Sequence, residues 1–187
     1  MADLLYVSAS PIPVDLAQLL KRAGYHSYDL ARSAGEARRL INLRQYNEII
    51  IASPLPDELG DKLALDIATD TSSNIIFIAK PDVVNLIEFK MESNGIVVFA
   101  KPVSGSLLYK VLTIFKAVDR RMSVVLEKNK KLEDKIEEIK LVSRAKMILM
   151  SKMGISEDEA HKHLDKTAKD QRKTKREIAL AIIQMYE

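Results

Sequence analysis

The amino-acid sequence predicts an α/β domain with a doubly wound, five-stranded parallel sheet, followed by a long coiled-coil helix and a small all-α three-helix bundle. Five short apolar runs alternate with amphipathic helical patterns over the first 117 residues. A stretch without glycine or proline then carries apolar residues at alternating spacings of three and four. The last segment keeps a helical periodicity and shows no strand pattern. We therefore divide the chain at 1–117, 118–140 and 141–187.

The first segment contains runs of isoleucine and valine without polar alternation. Such runs are typical of strands that are buried on both faces of a parallel sheet. The predicted strands are 4–9, 26–31, 48–52, 74–79 and 95–100, and the predicted helices lie near 15–24, 34–45, 59–70 and 83–93, with a fifth helix beginning near Ser106. Five strand–helix repeats in this length predict a three-layer, flavodoxin-like domain.

The predicted fifth helix continues past Leu141 and carries a heptad pattern. Its a positions are Phe115, Met122, Asn129 and Ile136, and its d positions are Val118, Val125, Leu132 and Ile139. A single asparagine at an a position fixes the register of parallel two-stranded coiled coils. We therefore predict a parallel homodimer whose seam runs from Val118 to Ile139. The alternative is a long helix that packs against its own N-terminal domain.

The last segment predicts three short helices. The first ends at Gly154, and Ser156 with Glu159 three residues later forms a capping-box pattern that begins the second. The apolar positions of the second and third helices are Ala160, Leu164, Ile178, Ala179, Ile182 and Ile183. Each helix therefore has one apolar face that can be buried against the other two.

Many positions of this segment follow a known pattern in register. They are Arg144-Ala145-Lys146, Leu149-Met150, Gly154, Ser156-Glu157, Ala160, Leu164, Ala168, Arg172 and Ala179. The segment resembles the ANTAR module, the small RNA-binding domain of transcription antitermination regulators. The resemblance implies a protein that binds stem-loops in a leader transcript, prevents a terminator hairpin from forming and lets polymerase continue.

A dense run of cations lies within this segment. Residues 166–176 hold six basic side chains and one acid, Asp170. Such a run is either a solvated helix face or a contact for a polyanion, and the ANTAR resemblance favours RNA. If the run is helical, most of its cations share one face. The predicted RNA-binding residues are Ala145, Lys146, Lys166, Ala168, Lys169, Arg172, Lys173 and Arg176; the two small alanines would let RNA or a neighbouring helix come close.

Three landmarks in the first segment match a second family. Pro56 and Gly60 follow the third predicted strand, and Lys101-Pro102 follows the fifth. With the strand order, these landmarks resemble the receiver domain of response regulators, so the predicted flavodoxin-like domain is receiver-like. The chain as a whole resembles two-domain ANTAR antitermination regulators that have a degenerate receiver.

The phosphoacceptor pocket of a receiver is incomplete in this sequence. Ala52 stands where receivers carry the phosphate-accepting aspartate, and Ser8 and Ala9 replace the acidic pair that holds Mg²⁺. The hydroxyl residue at the end of the fourth strand falls at Ile78 or Ala79, so Lys101 alone survives. Phosphoryl transfer to a carboxylate needs the nucleophile, the metal and the cation together. We therefore predict no switching by aspartate phosphorylation, and regulation through a partner protein, a ligand or the abundance of the dimer.

The loop after the third predicted strand carries two carboxylates near this pocket, Asp57 and Glu58. Asp57 is a weak candidate for a substitute acceptor because it follows the strand rather than ending it. Lys101, without its usual carboxylate partner, is expected to pair with Asp57 or Glu58 or to reach solvent.

Composition excludes several classes of protein. The chain has no cysteine, which excludes disulfides and thiolate metal sites, and no apolar run approaches the length of a membrane span. We expect a cytoplasmic protein without a cofactor. His161 and His163 are two residues apart and face different sides of a helix, so they do not form a metal site or a catalytic pair. We therefore expect no bound metal and no enzymatic activity. The alternative function is a protein-interaction or DNA-binding regulator that uses the three helices as a helix-turn-helix.

Overall fold

The computed structural model describes residues 3–186, and the chain forms two compact units, Met1–Val118 and Asp119–Glu187. The elements of the N-terminal unit are β1 (Leu4–Ser8), α1 (Val14–Arg22), β2 (Tyr28–Ala31), α2 (Ala34–Leu43), β3 (Glu48–Ala52), α3 (Asp61–Asp70), β4 (Asn74–Ala79), α4 (Pro81–Glu92) and β5 (Val97–Ala100). Helix α5 (Gly105–Met153) contributes to both units and is followed by α6 (Glu157–Gln171) and α7 (Lys175–Tyr186).

The five strands form one parallel sheet in the order β2-β1-β3-β4-β5. This order is that of the flavodoxin-like fold, so the predicted fold class is confirmed. The register places Ser8 beside Ala52 and Ala52 beside Ile78. The carboxyl ends of β1, β3 and β4 therefore meet at one edge of the sheet, which is where ligand sites of open α/β sheets form.

Alternate residues of the strands build two cores. Along β3, Ile49 and Ile51 belong to the core shared with α2, α3 and α4, whereas Ile50 belongs to the core shared with α1 and α5. Every residue of β1 is buried, as expected for a strand that is covered on both faces. Gly60, at the start of α3, adopts φ +95°, and a Cβ there would lie 3.2 Å from the side chain of Ile51.

Two predicted strands begin later than the sequence pattern indicated. Strand β2 begins at Tyr28 rather than at residue 26, and β5 begins at Val97 rather than at residue 95. Gly95 explains the second difference, because its φ of +75° ends the turn after α4 and is incompatible with an extended strand.

The C-terminal unit is a helical bundle with its own core. That core consists of Ala145, Leu149, Ala160, Leu164, Ala168, Ile178 and Ala179. The first helix of the bundle is not a separate short helix, as the sequence suggested, but the last part of the 49-residue α5. Gly154, with φ +68°, ends α5 as predicted, and the capping box of Ser156 and Glu159 is present. None of the helices within residues 3–186 combines the length and apolar character that crossing a lipid bilayer requires.

Candidate nucleic-acid interface

The turn between α6 and α7 is built by two capping arrangements. Arg172 adopts a left-handed conformation (φ 53°, ψ 40°), and its backbone N–H donates to the carbonyl of Lys169 at 3.2 Å. The N–H of Lys173 donates to the carbonyl of Ala168 at 3.0 Å, which completes a Schellman-type end of α6. The conformation of the turn is therefore fixed by backbone hydrogen bonds, and the side chains of Arg172 and Lys173 are exposed.

Helix α7 begins with a second capping box, which our reading of the sequence missed. The hydroxyl of Thr174 accepts from the N–H of Glu177 at 3.2 Å, and the Glu177 carboxylate accepts from the N–H of Thr174 at 2.7 Å. This backbone hydrogen bond holds the pKa of Glu177 below its ordinary value. The Thr-x-x-Glu spacing was visible in the sequence and would have placed the helix boundary within the basic run.

The basic residues consequently do not share one helix, and the predicted single face is wrong. Lys166 and Lys169 lie on α6, Arg172 and Lys173 lie in the turn, and Arg176 lies on α7. Arg176 is also engaged, because its Nη2 donates to the carboxylate of Glu137 on α5 at 2.7 Å. The other four side chains are exposed and form no hydrogen bond or salt bridge with any part of the chain that the structure describes. We call Lys166, Lys169, Arg172 and Lys173 the basic turn.

Three predicted RNA-binding residues support the bundle instead. Ala145 is fully buried and Ala168 is buried as well, so their small side chains admit a neighbouring helix and cannot touch RNA. Lys146 is largely buried, and its Nζ lies 2.6 Å from Oε1 of Glu157, which joins α5 to the first turn of α6. The same contact holds the pKa of Glu157 below its ordinary value. Ala145 and Ala168 thus admit a neighbouring helix, which is one of the two contacts expected of them, and Lys146 is engaged in an ion pair within the bundle.

A further ion pair joins α6 to α7. The Nζ of Lys175 lies 2.7 Å from Oδ1 of Asp165 and holds the pKa of that carboxyl below its ordinary value. The Nε2 of His161 lies 3.6 Å from the other oxygen of Asp165. Residues 3–186 contain no group of three or more His, Asp or Glu side chains that could hold a metal ion. The arrangement thus provides an exposed cationic surface on an internally bonded bundle.

Residues 130–183 match the family model of the ANTAR domain. The chain carries an ANTAR domain. The match begins within the segment that we assigned to the coiled coil, so the last part of α5 belongs to the domain. Over 173 residues, the chain is 27% identical to the transcriptional regulatory protein PdtaR of Mycobacterium tuberculosis, covering 92% of this chain and 84% of that protein.

The N-terminal unit is similar to solved receiver structures. A two-component response regulator from Clostridium difficile is 26% identical, with a TM-score of 0.52, and the likeness covers 65% of this chain and 98% of that one. The receiver domain of an HD domain-containing protein from Pseudomonas fluorescens Pf-5 shares the fold at 23% identity and a TM-score of 0.52, over 63% and 90% of the two chains. In this chain, a receiver-like domain is thus followed by an ANTAR domain.

The receiver-like domain places the predicted pocket residues together at the carboxyl edge of its sheet. Ala52 ends β3, and it is paired with Ser8, which ends β1; Ala9 follows β1 and Ala79 ends β4. The hydroxyl of Ser8 is used locally, where it accepts from the N–H of Ser10 at 3.2 Å. Ala52 and Ala9 therefore carry methyl groups, and Ser8 a hydroxyl group, at the positions where the receiver resemblance implies carboxylates.

The charged residues around this edge are bonded within the domain. Lys101 is exposed, as the second of the two alternatives expected, and its Nζ donates to the carbonyl of Ser53 at 2.6 Å rather than to Asp57 or Glu58. Asp57 accepts from the N–H groups of Gly35 and Ala34 at the start of α2, each at 2.9 Å, and these bonds lower its pKa. Glu58 binds Arg38 through both of its oxygens, at 3.1 and 3.2 Å.

Helix α5 exposes the predicted seam. Val118, Met122, Val125, Asn129, Leu132, Ile136 and Ile139 are all exposed. Phe115 is the exception among the heptad positions, because it packs against the core that α1 and α5 share in the N-terminal unit. Leu132 and Ile136 keep 59% and 54% of their residue surface exposed to solvent, so an apolar stripe runs along the helix.

Proposed function

We propose that this protein is a dimeric, RNA-binding transcription antiterminator that is not switched by aspartate phosphorylation. It binds stem-loops of a leader transcript through the basic turn of its ANTAR domain and prevents the terminator hairpin from forming. Two copies associate in parallel through the exposed stripe of α5. The signal reaches the receiver-like domain through a regulatory partner protein or a ligand, or through the concentration of the dimer.

The observation that carries this proposal is the left-handed Arg172 at the centre of the basic turn. A left-handed conformation costs an ordinary residue roughly 1 kcal/mol relative to glycine, which is the usual residue at this position of a helix end. The chain keeps an arginine there, and its guanidinium is free of intramolecular partners among residues 3–186. A guanidinium can stack on an unpaired base and can donate two parallel hydrogen bonds to a base edge. Both contacts are used in the recognition of RNA loops.

The neighbouring lysines supply affinity rather than specificity. Lys166, Lys169 and Lys173 are exposed ammonium groups on flexible stems, which suit phosphates as point charges. Each phosphate contact releases counterions, so the affinity of such a surface falls steeply as salt increases. The basic turn therefore combines one planar guanidinium, which suits RNA bases, with several ammonium groups, which suit the phosphates of the RNA backbone.

The dimer rests on the stripe of α5. Coiled-coil seams bury apolar a and d residues, and the stripe from Val118 to Ile139 has that spacing with Asn129 at one a position. Leaving so many large apolar side chains in a line in water is unfavourable, and monomeric proteins rarely expose such contiguous patches. Pairing of two copies removes the stripe from solvent.

Insensitivity to phosphorylation rests on the methyl groups of Ala52, Ala9 and Ala79 at the carboxyl edge of the sheet. Asp57, the nearest candidate for a substitute acceptor, has both oxygens bonded by the first N–H groups of α2. We expect no phosphate incorporation from acetyl phosphate. Incorporation that hydroxylamine releases, which marks an acyl phosphate, would contradict this part of the proposal.

Binding of a stem-loop RNA by the full chain tests the proposal. Arg172→Ala is expected to lose about 1–3 kcal/mol of specific hairpin binding, and Lys152→Ala, an exposed cation of α5 outside the basic turn, serves as the matched control. The same assay with duplex DNA separates the proposal from the alternative of a DNA-binding regulator. Tighter binding of duplex DNA than of any hairpin, or equal hairpin binding by Arg172→Ala and wild type, would refute RNA recognition by this turn.

A further inference from the structure

The exposed apolar stripe of α5 does not end at Ile139 but continues through the first helix of the ANTAR bundle. Met147 and Met150 are both exposed, at 62% and 36%, and Ser143 lies one turn before Met147. Ala145 and Leu149, which form the bundle core, are each two residues from Met147. Two residues correspond to about 200° around a helix, so Met147 lies on the face opposite the core, and Met150, about 100° from Leu149, lies at the edge of that exposed face.

The spacing of the stripe changes where the helix enters the bundle. A strict heptad would continue from Ile139 to Ser143, Lys146, Met150 and Met153. Lys146 cannot serve as the d residue, because its Nζ is drawn to Glu157 of α6 at 2.6 Å and 19% of its side chain remains exposed. Met147, the next residue, points away from the bundle and is free to take the seam position.

The resulting series is Ile139, Ser143, Met147 and Met150, with spacings of four, four and three. Eleven residues over three turns correspond to 3.67 residues per turn, slightly more than a straight helix, whereas a heptad has 3.5. Such an insertion unwinds the left-handed supercoil locally. On a straight helix, the positions of a strict heptad drift about 20° per repeat, which here would move the contact toward the face that α6 and α7 occupy. The additional residue shifts the contact positions back to the exposed face of α5.

We infer that the partner surface of the ANTAR bundle is the same surface of a second copy, joined across Ser143, Met147 and Met150 in an eleven-residue register. The inference rests on the proposed parallel dimer and extends it. Methionine side chains suit this contact, because they are unbranched and adapt to irregular gaps between helices. The two basic turns of a dimer are then held in a fixed relation instead of moving independently at the ends of a coiled coil.

The absence of cysteine makes this register directly measurable. Single cysteines in the full chain at Ile136, Met147, Met150, Met153 and Lys152 can be oxidised one at a time, each without competing thiols. A disulfide forms only where two Cα atoms approach within about 7 Å, which parallel seam positions satisfy and outward positions do not. We expect most of the protein to become a covalent dimer for Ile136→Cys, Met147→Cys and Met150→Cys, and little for Met153→Cys and the control Lys152→Cys.

Each other result has a distinct meaning. Cross-linking at Met153→Cys without cross-linking at Met147→Cys would establish a continued heptad and overturn the register. Cross-linking at Ile136→Cys with none at Met147→Cys or Met150→Cys would leave the dimer intact and show that the bundles are separate. Absence of cross-linking in Ile136→Cys itself would refute the proposed dimer and, with it, the inference. Oxidised Met150→Cys is also expected to bind hairpin RNA as its reduced form does, and loss of that binding on oxidation would overturn the inference.

Discussion

The two units of this chain differ in the charged side chains of their candidate sites. In the receiver-like domain, Lys101, Asp57 and Glu58 at the carboxyl edge of the sheet each bond to a group of the same domain. In the ANTAR domain, the side chains of the basic turn bond to no described residue, and the stripe of α5 exposes its apolar side chains to solvent. The charged groups at the carboxyl edge of the first unit are thus bonded within that unit, whereas the basic turn and the apolar stripe remain exposed.

The largest effect is expected from a charge placed in the stripe of α5. Leu132→Lys would bury an unpaired ammonium group in the seam, which costs several kcal/mol unless the helices separate. We expect the variant to be monomeric in sedimentation experiments at concentrations where the wild type is dimeric. Val124→Lys is the matched control, because Val124 is similarly exposed (51%) on the same helix but lies outside the a and d positions. A monomeric wild type, or equal dissociation of both variants, would show that this surface is not open to a second copy.

The next largest effect concerns Arg172, where stability and binding are expected to change in opposite directions. Arg172→Gly relieves the left-handed conformation and should raise the free energy of unfolding by about 0.5–1 kcal/mol. The same variant loses the guanidinium and should weaken specific hairpin binding by about 1–3 kcal/mol. Thermal unfolding and hairpin titration of the same preparation give both values. A glycine variant that is more stable and binds equally well would mean that the arginine has no role in RNA recognition.

A substitution at Lys101 tests the receiver-like half of the comparison, where the charged residues bond within the domain. Lys101→Met removes the hydrogen bond to the carbonyl of Ser53 and should lower the free energy of unfolding by about 1 kcal/mol. Hairpin affinity of the folded protein should be unchanged, because the lysine serves the receiver-like domain internally. Lys80→Met, which alters an exposed lysine that precedes α4, is the control. A fall in hairpin affinity with unaltered stability would instead assign Lys101 to signalling.

Much of the fold could be predicted from the sequence, since buried strands of isoleucine and valine leave one plausible layer arrangement. The end of α5 at Gly154 and the capping box at Ser156 were equally readable, because both are local signals. The interface was harder to predict. The basic run from Lys166 to Arg176 is continuous in sequence, and its division between two helices depends on Thr174 and Glu177.

Other errors at the interface have a common cause. Ala145 is small whether it faces RNA or a neighbouring helix, and Lys146 and Arg176 are cations whether they face phosphate or Glu157 and Glu137. Residue type fixes the chemistry of these side chains, but their partners lie 11 and 39 positions away along the chain. Periodicity describes one helix at a time, so it cannot show which face of α5 meets α6.

The smallest expected effect is a dependence of the stability of the ANTAR domain on pH in the acidic range. The pKa values of Glu157 and Asp165 are held below their ordinary values of 4.5 and 3.8, first of all by hydrogen bonds from Lys146 and Lys175. A carboxyl with a lowered pKa in the folded state stabilises the fold above its ordinary pKa and loses that contribution as the pH falls. The melting temperature should therefore fall between about pH 5 and about pH 3, where ordinary carboxyls titrate. Glu157→Gln should make this dependence shallower and leave the basic turn intact, whereas Glu133→Gln, at an exposed position of α5, should not. Equal slopes for wild type and Glu157→Gln would show that the bond from Lys146 does not hold α6 against α5 in solution.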